Sequence, residues 1–247
     1  MTEVVLHQFL YSHFNEKARW ALAFKNIPHQ RRSHLPGPHM IELKRLSGQT
    51  QTPVLTVDGE VIAGSAAIID FLEANHPEPA LYPKDPSRRE EALSIQRTFD
   101  AEVGPATRTA LFSVLVNEGG YLTRMFARDA NPVSSLLYWV TFPLARGLIA
   151  RANGVTDPDN VTRAFETTRR ALDQVAEQTR ETGYLCGAEF SVADLTAAAL
   201  LAPLLALNHP DMARPRPVPK SLQTLYQRWD GHPAMNWVRR QYELHRP

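Results

Sequence analysis

Two serines lie where a strand pattern ends and a helix pattern begins, a position suited to binding negative charge. Ser12 follows the apolar, β-branched run at residues 4–9, and Ser65 follows the strand pattern at residues 61–63. Backbone N–H groups at the start of a helix have no helical partner, and the positive end of the helix dipole lies there. A thiol beside Ser12 would have a lowered pKa, because its thiolate is stabilised. The helix start at Ser65 is suited to binding a carboxylate. For Ser12, the alternative role is simple helix capping.

The elements that hold these serines alternate between strands and helices over the first eighty residues. Strand patterns cover residues 4–9 and 30–35, and the run at 53–57 joins 61–63 through Asp58-Gly59, a pair suited to a two-residue hairpin turn. Apolar residues at spacings of three and four predict helices over 14–25, 40–46 and 65–75. The order β-α-β-α-β-β-α predicts a mixed sheet, with one parallel crossover and one antiparallel hairpin.

The remaining chain has helical patterns and begins after a proline-rich segment. Residues 76–86 contain four prolines, which disfavour helix and strand, so we predict a domain of residues 1–77, a linker of 78–86 and an all-helical domain of 87–247. Gly104-Pro105 predicts a kink in the first long helix. Asp157-Pro158 and Ser191, with Asp194 three residues later, predict two helix starts.

Composition excludes several kinds of site. The 247 residues carry 27 Lys and Arg against 26 Asp and Glu, so the net charge of +1 favours neither nucleic acid nor an anionic membrane. The single cysteine, Cys186, excludes an internal disulfide and any multi-cysteine metal site, and it fits a small buried apolar role.

His29, His34 and His39 lie five residues apart across a strand and a loop, so we predict no metal site. The N-terminal residues lack a secretory-signal pattern, and we expect a cytoplasmic protein without a membrane span.

Four segments in order along the chain resemble the cytosolic glutathione transferase superfamily, of the type that uses a serine. They are FLYSHFNEKARWAL at 9–22, GQTQTPVL at 48–55, GSAAIIDFL at 64–72 and GAEFSVAD at 187–194. The resemblance implies an α/β domain of thioredoxin-like βαβαββα order followed by an all-α domain. It also implies glutathione as the co-substrate and a homodimer.

The same resemblance assigns roles at the glutathione site. Ser12 would donate a hydrogen bond to the glutathione sulfur, and Ser65 would bind the γ-glutamyl carboxylate. Thr52, ahead of a cis Pro53, would pair its backbone with the cysteinyl part of the tripeptide, and Gln51 would reach the glycine carboxylate. Without the flanking matches, the proline would be interpreted as the start of an edge strand.

Gly64 is a departure from the family, which usually has Glu, Asp or Gln before this serine. The change removes a contact worth roughly 1.5–3 kcal/mol, or about ten- to a hundredfold in affinity. The family's electrophile pocket lies between the two domains, and the candidates by position are Tyr11, His13, Arg108 and Phe112. Residues 130–153 look like an addition to the usual helical domain, with core packing favoured over a pocket wall or a partner surface.

The resemblance implies an enzyme in which the glutathione thiolate, stabilised by Ser12, conjugates to a hydrophobic electrophile. Glutathione-dependent isomerisation and dehalogenation stay open as related reactions. The alternative is a non-catalytic module of the same fold that binds an apolar ligand or a protein partner, which Gly64 and the segment 130–153 motivate. The expected partner of the enzyme is therefore a small-molecule electrophile, and that of the alternative is an apolar ligand or a protein.

Overall fold

A four-stranded sheet with three helices forms the first part of the molecule; the computed structural model describes residues 3–128 and 132–247. The elements follow the predicted order: β1 (Val4–Gln8), α1 (His13–Phe24), β2 (Gln30–Ser33), α2 (His39–Ser47), β3 (Val54–Val57), β4 (Glu60–Ala63) and α3 (Ser65–Asn75). The strand order is β2-β1-β3-β4, with β1 parallel to β2 and antiparallel to β3, and β3 antiparallel to β4. The predicted mixed sheet and hairpin are confirmed.

The rest of the described chain is helical. The helices are α4 (Pro86–Thr98), α5 (Gly104–Leu115), α6 (Gly119–Phe126), α7 (Pro132–Ala152), α8 (Pro158–Gln178), α9 (Val192–Leu201), α10 (Lys220–Trp229) and α11 (Pro233–His245). Asp157 caps α8 by accepting from the N–H of Asp159, and Ser191 with Asp194 forms the capping box that starts α9. Every residue of α9 is buried, so this helix is the centre of the helical part.

The predicted kink at Gly104-Pro105 is a change of helix type. Residues Phe99–Val103 form a π-helical turn between α4 and α5. Because Pro105 has no N–H, it cannot donate the regular α-helical hydrogen bond, and the wider turn before it absorbs the interruption. The π-helical turn therefore joins α4 directly to α5, with no loop between them.

Helix α1 is packed on two sides, against α3 of the first part and α9 of the helical part. The apolar spacing predicted one buried face, but all of residues 15–22 are buried, including Glu16, Lys17 and Arg19. Lys and Glu are almost never fully buried unless they are paired. The charged groups on α1 therefore have partners inside the protein, which the site description gives.

Helix α7 has both buried and exposed apolar residues among those whose side chains the structure describes, which corrects part of the expectation for the segment 130–153. Residues 130 and 131 lie outside the described residues. Tyr138 and Phe142 are buried, as core packing predicts, whereas Leu136, Trp139 and Leu148 are exposed. No helix in the described ranges is long and apolar enough to cross a membrane.

Candidate active site

Three loops leave the sheet at the same end. The register pairs His7 of β1 with Val54 of β3, and Val54 with Ala63 of β4. The N–H of Gly64 donates to the carbonyl of Pro53 at 2.9 Å, which extends the pairing beyond the strands. The loops and helix starts at this end carry the six residues predicted for the glutathione site: Ser12, Gln51, Thr52, Pro53, Gly64 and Ser65.

Ser12 lies immediately before α1 with an unused hydroxyl. Its N–H donates to the carbonyl of Phe9 at 3.3 Å, and its carbonyl accepts from the N–H of Glu16 at 2.8 Å. The side chain makes no capping hydrogen bond, and its hydroxyl has no partner among the described residues. The residue is half-buried. Capping therefore does not account for this serine, and its hydroxyl is available to a ligand at the helix start.

Helix α3 begins with backbone donors and with a glycine in an unusual conformation. The first helical hydrogen bond runs from the N–H of Ile68 to the carbonyl of Gly64. The N–H groups of residues 65–67 therefore have no acceptor within the helix. Gly64 has φ +99° and ψ 145°, a region that is essentially restricted to glycine. A Cβ placed there would meet nothing within 4 Å. An acidic side chain at this position would have room but would strain the backbone.

The Thr52–Pro53 peptide bond is cis, as the resemblance implies. Asn15 Nδ2 donates to Thr52 Oγ1 at 2.9 Å, which fixes this loop to the first turn of α1. Thr52 is half-buried and Gln51 is exposed. Asn15 Oδ1 is buried without a partner among the described residues. Asn15 was not among the predicted site residues, although it lies three positions after Ser12.

Buried ion pairs hold the turn that leads into Ser12. Arg19 donates to the carbonyl of Phe9 at 3.4 Å and pairs with Glu16 at 2.8 Å. Glu16 also accepts from Arg246 Nε at 2.8 Å. Burial alone would raise the pKa of Glu16, but Arg19 and Arg246 together hold it below its ordinary value. The carboxylate therefore stays charged in the interior and positions the end of β1.

Two buried lysines connect α1 to other parts of the chain. Lys17 pairs with Asp100 of the π-helical turn at 2.6 Å, although burial still lowers the pKa of this lysine. Lys25 pairs with Glu73 of α3 and donates to the carbonyl of Pro79 at 2.9 Å. In the sequence these residues have the pattern of a solvated helix face. Lys17 is buried by packing against the helical part, and Lys25 by packing against α3 and the proline-rich segment, and no local signal predicts either contact.

His13 joins α1 to α5. Its ring is 4% exposed, and Nε2 donates to the carbonyl of Gly104 at 3.0 Å. Burial, with the positive charge of Arg108 nearby, lowers the pKa of His13 to about 3, so the ring is neutral. A Cβ on Gly104 would lie 2.6 Å from Cζ of Phe14, so a side chain at this position would displace the Phe14 ring. A place for His13 in the electrophile pocket stays a prediction.

Arg108 lies one turn further along α5 and has no counter-charge. It makes no hydrogen bond or ion pair with any described residue, and its Nε is buried without a partner. Burial lowers the pKa of this guanidinium. Arg108 lines a cavity of about 510 Å³ together with Arg151, Arg163 and Glu102. Arg108 is half-buried, and three guanidinium groups face a single carboxylate in this cavity, so the cavity favours an anionic ligand.

The two aromatic candidates lie in different surroundings. Tyr11 is buried, and its hydroxyl accepts from Arg128 at 2.8 Å. Phe112 is half-buried and stacks on Phe126, with ring centroids 6.5 Å apart, and Phe126 meets Tyr138 of α7 edge-on. Phe112 thus belongs to an aromatic cluster that extends from α5 to α7.

Cys186 has the buried structural role that the sequence predicted. Its side chain is 4% exposed, and Sγ donates to the carbonyl of Arg88 at 3.1 Å. Burial, with Glu91 nearby, raises its pKa to about 11. The thiol is therefore protonated at neutral pH and is a poor nucleophile.

Known proteins resemble this chain in sequence and in fold. Residues 6–80 match the family model described as glutathione S-transferase, N-terminal domain. A probable maleylacetoacetate isomerase of Caenorhabditis elegans is 31% identical over 138 residues, which cover 52% of this chain and 64% of the relative. A maleylpyruvate isomerase of Ralstonia sp. is 26% identical over 133 residues, which cover 53% and 59%. The chain thus spans less than two thirds of the length of these relatives.

The structural comparison covers nearly the whole chain. A beta-etherase from Sphingobium sp. strain SYK-6 has the same fold, with a TM-score of 0.63 and 18% identity over 96% of this chain and 99% of that one. At this identity the likeness concerns the fold alone. The sheet with its cis-proline loop, the helical part and the match at residues 6–80 agree with one another. Residues 6–80 are therefore similar in sequence to the N-terminal domain of glutathione S-transferases, and the chain as a whole has the fold of solved glutathione S-transferases.

Proposed function

We propose that the chain is an enzyme that binds glutathione at the end of the sheet and uses its sulfur as a nucleophile. The observation that carries this proposal is the free, half-buried hydroxyl of Ser12 at the start of α1. A hydroxyl there donates a hydrogen bond to a thiolate, and the dipole of α1 favours the same charge. Together they lower the pKa of a bound thiol and raise the fraction that is nucleophilic at neutral pH.

The rest of the tripeptide fits the loops around Ser12. The N–H groups of the first turn of α3, with the Ser65 hydroxyl, suit the γ-glutamyl carboxylate. The backbone of Thr52, next to the cis Pro53, suits a strand-like contact with the cysteinyl part, and the exposed Gln51 suits the glycine carboxylate. Gly64 adds no side chain here. We therefore expect weaker glutathione binding than a Glu, Asp or Gln at this position would give.

The electrophile in this proposal carries a carboxylate beside an electron-poor double bond. The unpaired Arg108 supports an acidic ligand, and two relatives bear the names maleylacetoacetate isomerase and maleylpyruvate isomerase. The thiolate would add to one carbon of the double bond, and the bond's electrons would move onto the conjugated carbonyl oxygen. Uptake of a proton then gives a conjugate; rotation and expulsion of the thiolate gives the geometric isomer and returns glutathione.

Isomerisation is the reaction that the relatives' names favour, whereas conjugation is the reaction that the family resemblance implies. Both need the same thiolate at Ser12, so one measurement tests their common step. The non-catalytic alternative does not need the Ser12 hydroxyl for binding. The homodimer and the division into domains at 1–77, 78–86 and 87–247 stay predictions.

The test is an ultraviolet difference titration of the protein with glutathione at several pH values, following thiolate absorbance. We expect a saturable thiolate signal near neutral pH that Ser12→Ala removes without loss of fold. Ser87→Ala is the matched control, because Ser87 lies in the first turn of α4 and its hydroxyl bonds to Asp85, far along the chain from the site. Binding without a thiolate signal would contradict the role of Ser12. No binding would favour the non-catalytic module.

A further inference from the structure

Three potential metal ligands converge between the sheet and α2. His7 of β1, His34 beside β2 and Glu42 of α2 each offer one ligand atom, and these atoms lie within 4.8 Å of one another. His7 Nδ1 and His34 Nε2 are 3.1 Å apart, and Glu42 Oε2 lies 3.5 Å from His34 Nδ1. The spacing of His29, His34 and His39 predicts no metal site, because these three histidines do not converge. The residue that completes the group is His7, on a neighbouring strand.

The parallel pairing of β1 and β2 brings the two histidines together. His7 is in register with Arg32, and residues two apart on a strand lie on the same face, so His34 shares the face of His7. The N–H of His34 donates to the carbonyl of Gln8 at 2.9 Å, which fixes its backbone beside β1. The geometry is therefore built by the sheet.

Glu42 reaches this pair from the first turn of α2. Its Oε1 accepts from Arg32 at 2.7 Å, and its Oε2 faces His34. The carboxylate thus has one oxygen held by a guanidinium and the other facing Nδ1 of His34. To share a metal with His7 and His34 Nε2, the Glu42 side chain must turn toward the Nε2 side of the ring. Arg32 and Glu42 are the charged groups that face the cluster, and they offset each other.

We propose that His7, His34 and Glu42 form a zinc site whose fourth ligand is water. Two imidazoles and a carboxylate are a donor set that suits Zn²⁺. Zn–N bonds of about 2.0–2.1 Å in a tetrahedral shell place two ligand nitrogens roughly 3.3–3.4 Å apart, close to the 3.1 Å seen here. The site uses none of the residues proposed to bind glutathione. Bound zinc would fasten α2 to β1 and β2 and so fix the segment that leads to Gln51.

The test is a calorimetric titration of the full chain with Zn²⁺ after treatment with a chelator. We expect one ion per chain, with binding weakened at least tenfold by His34→Gln and by Glu42→Gln. His29→Gln is the matched control, since its ring bonds to the carbonyl of Ile27 and lies outside the cluster. Cys186→Ser removes the single thiol of the chain, and we expect it to leave zinc binding unchanged.

A second measurement separates a ligand role from a folding defect. Zinc should raise the thermal midpoint of the unsubstituted chain but not that of Glu42→Gln, which should fold because Glu42 is only half-buried and Gln has nearly the same shape. Absence of one-to-one binding, or binding that both substitutions leave unchanged, overturns the proposal. In that case the histidines form only a hydrogen-bonded pair, and any retained zinc is adventitious.

Discussion

The buried neutral imidazole of His13 makes the stability of this protein depend on pH in a way that one substitution can isolate. Nε2 of His13 must carry its proton, because its partner is the carbonyl of Gly104. His13→Gln keeps an N–H donor at a similar distance from the backbone but removes the titrating group. We therefore compare the natural chain with His13→Gln as pH falls.

The sign and the size of the effect follow from the two pKa values. In the folded chain the pKa of His13 is lowered to about 3, whereas an unperturbed imidazole has 6.5. Below pH 6.5 the unfolded chain binds a proton that the folded chain cannot accept, so acid favours unfolding. At about 1.4 kcal/mol per pH unit, the loss in unfolding free energy between pH 7 and pH 5 is about 2 kcal/mol. The loss continues until pH falls to the folded value.

Urea unfolding at pH 7, 6 and 5 measures this loss in both proteins. The other histidines with lowered pKa values contribute alike to both chains and cancel in the difference. We expect the natural chain to lose about 2 kcal/mol more than His13→Gln over this interval. Equal losses in the two proteins would refute the inference that His13 is held neutral against α5. Imidazole NMR signals of His13 that titrate near pH 6.5 in the folded chain would refute it as well.

Three further predictions concern charge and backbone. Glu16→Gln leaves two buried arginines short of a counter-charge and should lower the free energy of urea unfolding by about 3–5 kcal/mol. The control, Glu90→Gln in an exposed ion pair, should lower it by less than about 1 kcal/mol. Equal losses in the two variants would contradict the buried network. Gly64→Ala should lower the unfolding free energy by about 1–3 kcal/mol from backbone strain alone, since its Cβ meets no atom, and an unchanged thermal midpoint would count against this. Arg108→Met should raise KM for a carboxylated electrophile about ten- to a hundredfold in steady-state assays, yet leave a neutral electrophile and the fold unaffected. Arg124→Met, at an exposed site on α6, is its control, and a similar rise in KM for both substrates would contradict the carboxylate role.

Local sequence signals predicted the elements whose ends are set by neighbouring turn and cap residues. The hairpin follows from Asp58-Gly59, and α9 begins at the capping box of Ser191 and Asp194. Each of these involves residues no more than a few positions apart. The turn and cap chemistry is therefore visible in the sequence, and so is the strand-to-helix junction that holds Ser12.

Features that depend on distant parts of the chain were missed. Glu16, Lys17 and Arg19 have the pattern of a solvated helix face, and only their partners in the helical part show that they are buried. His7 and His34 are 27 positions apart, and the strand register brings them together. The unpaired state of Arg108 is likewise a property of the packed structure.

The contacts of α1 have a consequence for how the chain can be divided in the laboratory. The composition changes sharply in the proline-rich segment, yet Lys25 holds this segment through the carbonyl of Pro79, and Glu73 accepts from the N–H of Leu81. A fragment ending near residue 80 would retain Ser12 and the whole sheet but would leave Lys17 without Asp100. The serine thus lies on a helix whose interior charges are neutralised by the other half of the molecule. An isolated N-terminal fragment is the wrong object for binding studies, and proteolysis within the linker should release two halves that lose structure together.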